Sequence, residues 1–255
     1  MNTTTPTTNR ETYQQQLRRI AQAMATARSS DVYADLEPGS QPEMLKLFVD
    51  GNLDKRLDKL DKGLELVKEA LGDDFEPLAI EFIKALPMGA YDSGQYDGEK
   101  FLAWLVDHKS LSPVQRDHVA CQRARNAVEN MARNQRLAHV QFHDLASVAG
   151  KLSEELDSNP TLWIHLNPIR VWARFETGAL LDEESDEPSD VIFFAVGKDI
   201  TTAVLETEGR QMIEELASLQ PVSLASWAAL SEDAERDELI ELGAELAEMV
   251  CVSCL

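Results

Sequence analysis

Two histidines four residues apart, His139 and His143 in the stretch HVQFH, are the residues whose types and spacing come nearest to chemistry. On one face of a helix that spacing brings two imidazoles towards a single metal ion. No glutamate follows the first histidine, so the metalloprotease signature is missing. A third ligand would have to come from Asp144 or from a distant segment. The plainer reading is a pair of surface histidines. His108, His118 and His165 have no companion at a metal-binding interval. Cys251 and Cys254 form CVSC close to the last residue. In a redox protein such a pair opens a helix after a strand, where the helix dipole lowers the thiol pKa. Here it follows a helical pattern, so packing of the C-terminal segment is the expectation, and Cys121 is expected in a core. The chain has neither a GxGxxG loop, a P-loop, a GxSxG elbow nor a paired-carboxylate motif in a supporting context. That profile points to a binding protein or a non-catalytic subunit, with no cofactor of its own.

Charge says more than any motif. The formal net charge is -21 over 255 residues, and it is uneven. Residues 181–255 hold 19 acidic and 3 basic side chains, whereas 109–151 hold 7 basic and 3 acidic ones. A strongly negative surface repels phosphate backbones, which makes nucleic acid a poor partner and a basic peptide a better one. Arg116, Arg123, Arg125, Arg133 and Arg136 fall on one helical stretch, as a solvated face or as a docking surface for an acidic partner. No run of apolar residues is long enough for a membrane helix. The opening MNTTTPTTNRETYQQQLRR has no apolar core, so residues 1–10 are expected to be a disordered tail. With three cysteines, an odd number, the expected location is a reducing cytoplasm.

The elements that would position these residues are mostly helical. Leu17, Ile20 and Met24 stripe a helix over Glu11–Arg28, and Ser29–Pro42 reads as loop. Leu53, Leu57, Leu60, Leu64, Val67 and Leu71 recur at intervals of four and three, the mark of a helix burying one face. Gly51 and Gly63 are possible breaks in it. Gly72 is a candidate C-cap and Asp73 or Asp74 a candidate N-cap for the helix that follows. Ser112 and Pro113 open a long helix through the arginines. The texture then changes. TLWIHLNPIRVWARFET reads as two extended pieces split by Pro168. SDVIFFAVGKDITTAVLET reads as a strand pair about a tight turn, Val191–Val196 apolar on both faces and therefore inner, Ile200–Leu205 alternating and therefore near an edge. Helices are expected after it.

Helices, then strands, then helices give an α+β chain: a helical domain over 11–157 and a small winged-helix-like domain with a short antiparallel sheet over 158–255. A sheet edge of this kind can accept an extended peptide as an added strand.

In order and texture the segments LFVDGNLDKRLDKL, LGDDFEPLAIEFIKALP, YDGEKFLAWL, RDHVACQRARNAVENMA, IHLNPIRVW and VIFFAVGKDITTAVLET resemble the partner subunits of multinuclear non-heme iron-dependent oxidases that modify ribosomally made peptides. The helical part of that family was long taken for a DNA-binding domain, and a DNA-binding transcription regulator is the alternative reading. The resemblance spans Met44–Leu255. It implies a non-catalytic subunit that grips the leader of a precursor peptide and presents it to an oxidase subunit, as a heterodimer. The iron would belong to the oxidase. The peptide-contacting residues on this reading are Trp172, Arg174, Val191, Phe193, Ala195, Ile200, Thr202 and Val204. The oxidase-contacting residues are Arg116, Arg123, Arg133 and Arg136.

Overall fold

The computed structural model describes residues 7–28, 41–86, 96–148, 163–181, 187–223, 226, 243, 245–246 and 252–254. It is a mixture of helices and small antiparallel sheets. The chain divides into two compact units, Met1–Leu111 and Ser112–Leu255.

The first unit is helical. Helix α1 spans Thr7–Thr26 and therefore starts inside the stretch expected to be a tail. Helix α2 spans Pro42–Gly63, with its proline in the first turn, where a missing N–H leaves no bond unmade. Helix α3 spans Glu65–Leu71 and α4 spans Phe75–Ala85, joined by a 3-10 turn over Gly72–Asp74. Helix α5 spans Asp97–His108. The long leucine stripe is thus broken after Gly63, one of its two candidate breaks, and runs unbroken through Gly51. Gly72 ends α3 with φ +54, a conformation glycine adopts without a Cβ penalty. Asp74 makes no side-chain capping bond. Tyr96 explains Gly63: a Cβ there would collide with the Tyr96 hydroxyl, which donates to the Lys59 carbonyl at 3.0 Å. Burial, helped by the charge of Asp97, pushes the Tyr96 phenol up from its ordinary value.

The stripe buries Leu60, Leu64, Val67 and Leu71, but Leu57 is only half-buried and its neighbour Arg56 is 5 % exposed. Arg56 donates through Nε to Asp97 Oδ2 at 2.8 Å and through Nη1 to the Ala25 carbonyl at 2.7 Å. One turn earlier, Asn52 Nδ2 donates to the Met24 carbonyl at 2.9 Å. Two polar side chains of α2 thus satisfy the last carbonyls of α1, which end a helix without intrahelical donors. Phe75, Phe82 and Phe101 form the aromatic centre of this unit, with centroids 5.8 and 5.3 Å from Phe101.

The second unit opens with helix α6 over Pro113–Asn134. Ser112 and Gln115 make a reciprocal capping box: Gln115 N–H donates to Ser112 Oγ at 3.2 Å, and Ser112 N–H to Gln115 Oε1 at 3.0 Å. Helix α7 spans Arg136–Val148. The strands are β1 Trp163–Leu166, β2 Arg170–Phe175, β3 Ser189–Val196 and β4 Asp199–Leu205. Helix α8 spans Thr207–Leu219, followed by the short strands β5 Val222–Ser223 and β6 Val252–Cys254. Among the described residues these make two three-stranded antiparallel sheets, in the orders β5-β1-β6 and β2-β3-β4.

Helix α6 packs on β2 and β3. Its Ala124 and Val128 share a core with Ile169, Phe175, Val191, Phe193 and Ala195. The compact unit that holds the sheet therefore begins at Ser112, not at the expected 158, because the sheet needs α6 to cover one face. The short helix expected over 221–231 begins instead with strand β5, which pairs with β1. The rest of that span and the helix expected over 233–249 lie, apart from a few isolated positions, outside the described residues, as do Cys251 and the acidic stretch 182–186. Cys254 is in β6, opposite Ile164 of β1. Among the described residues, no helix is long and apolar enough to cross a membrane.

Candidate functional site

The hairpin β3–β4 carries most of the residues singled out for peptide contact. Val196 pairs with Asp199, leaving a two-residue loop of Gly197 and Lys198. Gly197 has φ +63, the positive value that the first residue of such a loop adopts. Strand β3 lies between β2 and β4, so it is the inner strand, and β4 is the edge. On its other side β4 has no strand partner among the described residues. Thr202 and Val204 of β4 are exposed, Val204 by 42 %, while Ala203 is buried. The period-two alternation of β4 thus survives in the fold.

Register divides the expected contact residues between two faces and two environments. Phe193 pairs with Thr202, Val191 with Val204 and Ala195 with Ile200. Val191, Phe193 and Ala195 lie in the core under α6, and Ile200 is packed against that core. Their side chains are covered, so only Thr202 and Val204 of this set are open. Trp172 and Arg174 lie on the opposite face of β2, paired across to Ile192 and Asp190. A single added strand does not touch all eight side chains. An extended peptide paired at this edge would meet β4 through the main chain, with Thr202 and Val204 beside it.

On the face of Trp172 an ionic cluster forms around Asp190, which is 5 % exposed. Arg210 of α8 donates to Asp190 Oδ1 at 2.8 Å, and its guanidinium lies 5.0 Å from the centre of the Trp172 ring. Arg174 reaches the same oxygen at 3.5 Å. A guanidinium over an indole contributes about 0.5–1 kcal/mol when exposed, more when dry. Asp190 and Arg210 also line an open groove of about 590 Å³ along α8, with Thr207, Gln211, Glu214 and Glu215.

The histidine pair does something that its spacing did not announce. His139 is buried, and its Nε2 donates to the Gly197 carbonyl at 3.0 Å. His143 Nε2 accepts from the Gly197 N–H at 3.2 Å. The rings meet edge-on, with centroids 4.4 Å apart. Both Nε2 atoms are therefore engaged by one turn residue and are not presented together to a metal. Among the described residues no group of three or more His, Cys, Asp or Glu is placed to hold one. The pair reads as a hairpin clamp, and His139 is not the surface residue expected. Asn167 acts beside it: fully buried, it donates from Nδ2 to the Ala195 carbonyl at 2.9 Å and accepts from the Ile169 N–H at 2.9 Å.

The arginines of α6 and α7 are only partly available. Arg116 makes a two-pronged pair with Glu176 at 2.7 and 2.6 Å and holds that carboxyl below its ordinary range. Arg133 pairs with Glu129 at 2.9 Å. Arg123, Arg125 and Arg136 are exposed. Next to Arg116, Asp117 is 1 % exposed and accepts three bonds: from Glu176 N–H at 2.6 Å, Thr177 N–H at 2.9 Å and Thr177 Oγ1 at 2.6 Å. Sequence reasoning missed this residue; its signal was an acid in the first turns of a capped helix, which is too common to single out. Cys121 is a free thiol on α6, and burial pushes its pKa up, away from reactivity.

Comparison with protein-family models, with curated proteins and with solved structures finds no match in any of the three.

Proposed function

We propose that this chain is a non-catalytic partner subunit that binds a ribosomally made precursor peptide and presents it to an iron-dependent oxidase, with residues 112–255 acting as a winged-helix-like docking unit. The observation that carries the reading is the edge strand β4. It is held by an inner strand, alternates in exposure and lacks a second strand partner among the described residues. Such an edge offers unpaired N–H and C=O groups to an extended peptide. The sequence resemblance supplies the class of peptide and of partner. The acidic side chains of 181–255 favour a leader bearing Lys or Arg through faster association, an effect that salt weakens. Of the four arginines expected to meet the oxidase, Arg123 and Arg136 are exposed and stand outside the Arg116–Glu176 and Arg133–Glu129 pairs.

Proline tests the edge, because it deletes a donor and disfavours a paired strand position. Thr202→Pro is expected to weaken peptide binding by more than about a hundredfold, whereas Thr202→Ser leaves it within about twofold, since added-strand affinity resides in main-chain bonds. Circular dichroism and thermal melting separate loss of the edge from loss of the fold. A well-folded Thr202→Pro protein that binds the peptide as tightly as the parent overturns the reading.

A further inference from the structure

The turn residue Gly197 is gripped at both of its hydrogen-bonding groups by two side chains from a single helix. His139 supplies a donor to its carbonyl, and His143 supplies an acceptor to its N–H. These bonds require opposite protonation patterns. His139 must carry hydrogen on Nε2, and His143 must not. A neutral imidazole satisfies the second requirement; an imidazolium cannot, since both of its nitrogens are donors. From this geometry we propose that His139 and His143 form a proton-operated clamp on the β3–β4 hairpin, in which protonation of His143 releases the Gly197 N–H and frees the turn while the His139 bond remains.

The surroundings favour the closed state at neutral pH. Burial, and next the neighbouring His139, hold the His143 pKa below its ordinary 6.5; a backbone hydrogen bond with Ala195 and the charge of Asp144 act in the opposite direction. The other elements against α7 bring few charges. The hairpin carries exposed Lys198 and Asp199 beside Gly197. Helix α6 carries the Glu129–Arg133 pair near its C-terminal end, and β6 carries Cys254 as its one titratable residue. His139 Nδ1 is buried with no hydrogen-bond partner among the described residues. The sign follows from linkage. With the folded pKa depressed, the clamp contributes fully above about pH 6.5. Its contribution falls as pH drops below that value and is gone below the folded pKa. The hairpin includes β4, but the clamp itself stands on these bonds and is independent of any peptide reading.

The test is a titration of the full chain by nuclear magnetic resonance from about pH 8 to about pH 5, the range in which histidine changes charge. The histidine ring signals and the exchange protection of the Gly197 and Lys198 amides are followed together, with protection corrected for intrinsic exchange. The expected result is a His143 midpoint below 6.5 and a fall of roughly tenfold in Gly197 protection through that same midpoint, the worth of one hydrogen bond. In His143→Gln, whose side-chain oxygen accepts but does not titrate, the step is expected to vanish. Three results would overturn the proposal: flat Gly197 protection while His143 titrates, a step at a midpoint His143 does not share, or a step that persists in His143→Gln. Should that variant not fold, the coincidence of midpoints in the parent chain decides alone.

Discussion

Asp117→Ala is expected to destabilise the second unit by about 3 kcal/mol or more, since hydrogen bonds to a charged group contribute about 1.5–3 kcal/mol each and this carboxylate accepts three. The discount is for exposure: Glu176 lies at the surface, and water can replace part of what its N–H loses. Thr177 is half-buried and is less easily rescued. For a unit of this size the change corresponds to a fall in Tm of roughly 6–12 °C. Thr177→Val removes one donor and leaves the carboxylate two partners, so it should cost only about 1 kcal/mol. The double variant should cost less than the sum of the two, because they share a bond. A Tm change of less than about 2 °C for Asp117→Ala would show that the loop after β2 is held by something else.

Fragment boundaries give an even larger effect. A fragment of residues 158–255 is expected to be unfolded, and a fragment of residues 112–255 to melt cooperatively. Without α6, the Phe175, Val191, Phe193 and Ala195 side chains lose the cover of Ala124 and Val128. Re-exposing a large apolar side chain costs about 1.5–3 kcal/mol, so uncovering several of them rivals the whole stability of a typical domain, about 5–15 kcal/mol. Dispersed amide signals and a sigmoidal melt in the 158–255 fragment would contradict the division of the chain at Ser112.

What was legible in the sequence was local. Ser112 and Pro113 lie at the start of one helical turn and open α6 as read, and the structure adds Gln115 as the second half of the capping box. Gly197 between two β-rich runs specified the hairpin, and the difference between continuous and alternating apolarity separated the inner β3 from the edge β4. What was not legible depended on partners far along the chain. Arg56 sits beside a leucine stripe and reads as solvent-facing until Ala25 and Asp97 are brought to it. The α6 pattern permits packing on helices or on a sheet, so the boundary near 158 followed a change of composition, whereas the fold follows burial. The histidine spacing was visible, but its target was a backbone turn 54 and 58 residues away. Strand β6, only three residues long, carries too little periodicity to be seen before β1 pairs with it.

Hydrogen exchange along β4 in the full chain tests the proposed peptide-carrying role most directly. It would be measured with and without a precursor peptide of the kind the proposed role requires, one whose gene neighbours that of an iron-dependent oxidase. The account predicts that alternate amides between Asp199 and Leu205, those not bonded to β3, gain about tenfold or more in protection as each acquires a hydrogen bond to the peptide. Saturable binding of the peptide that leaves every β4 amide unchanged would contradict it.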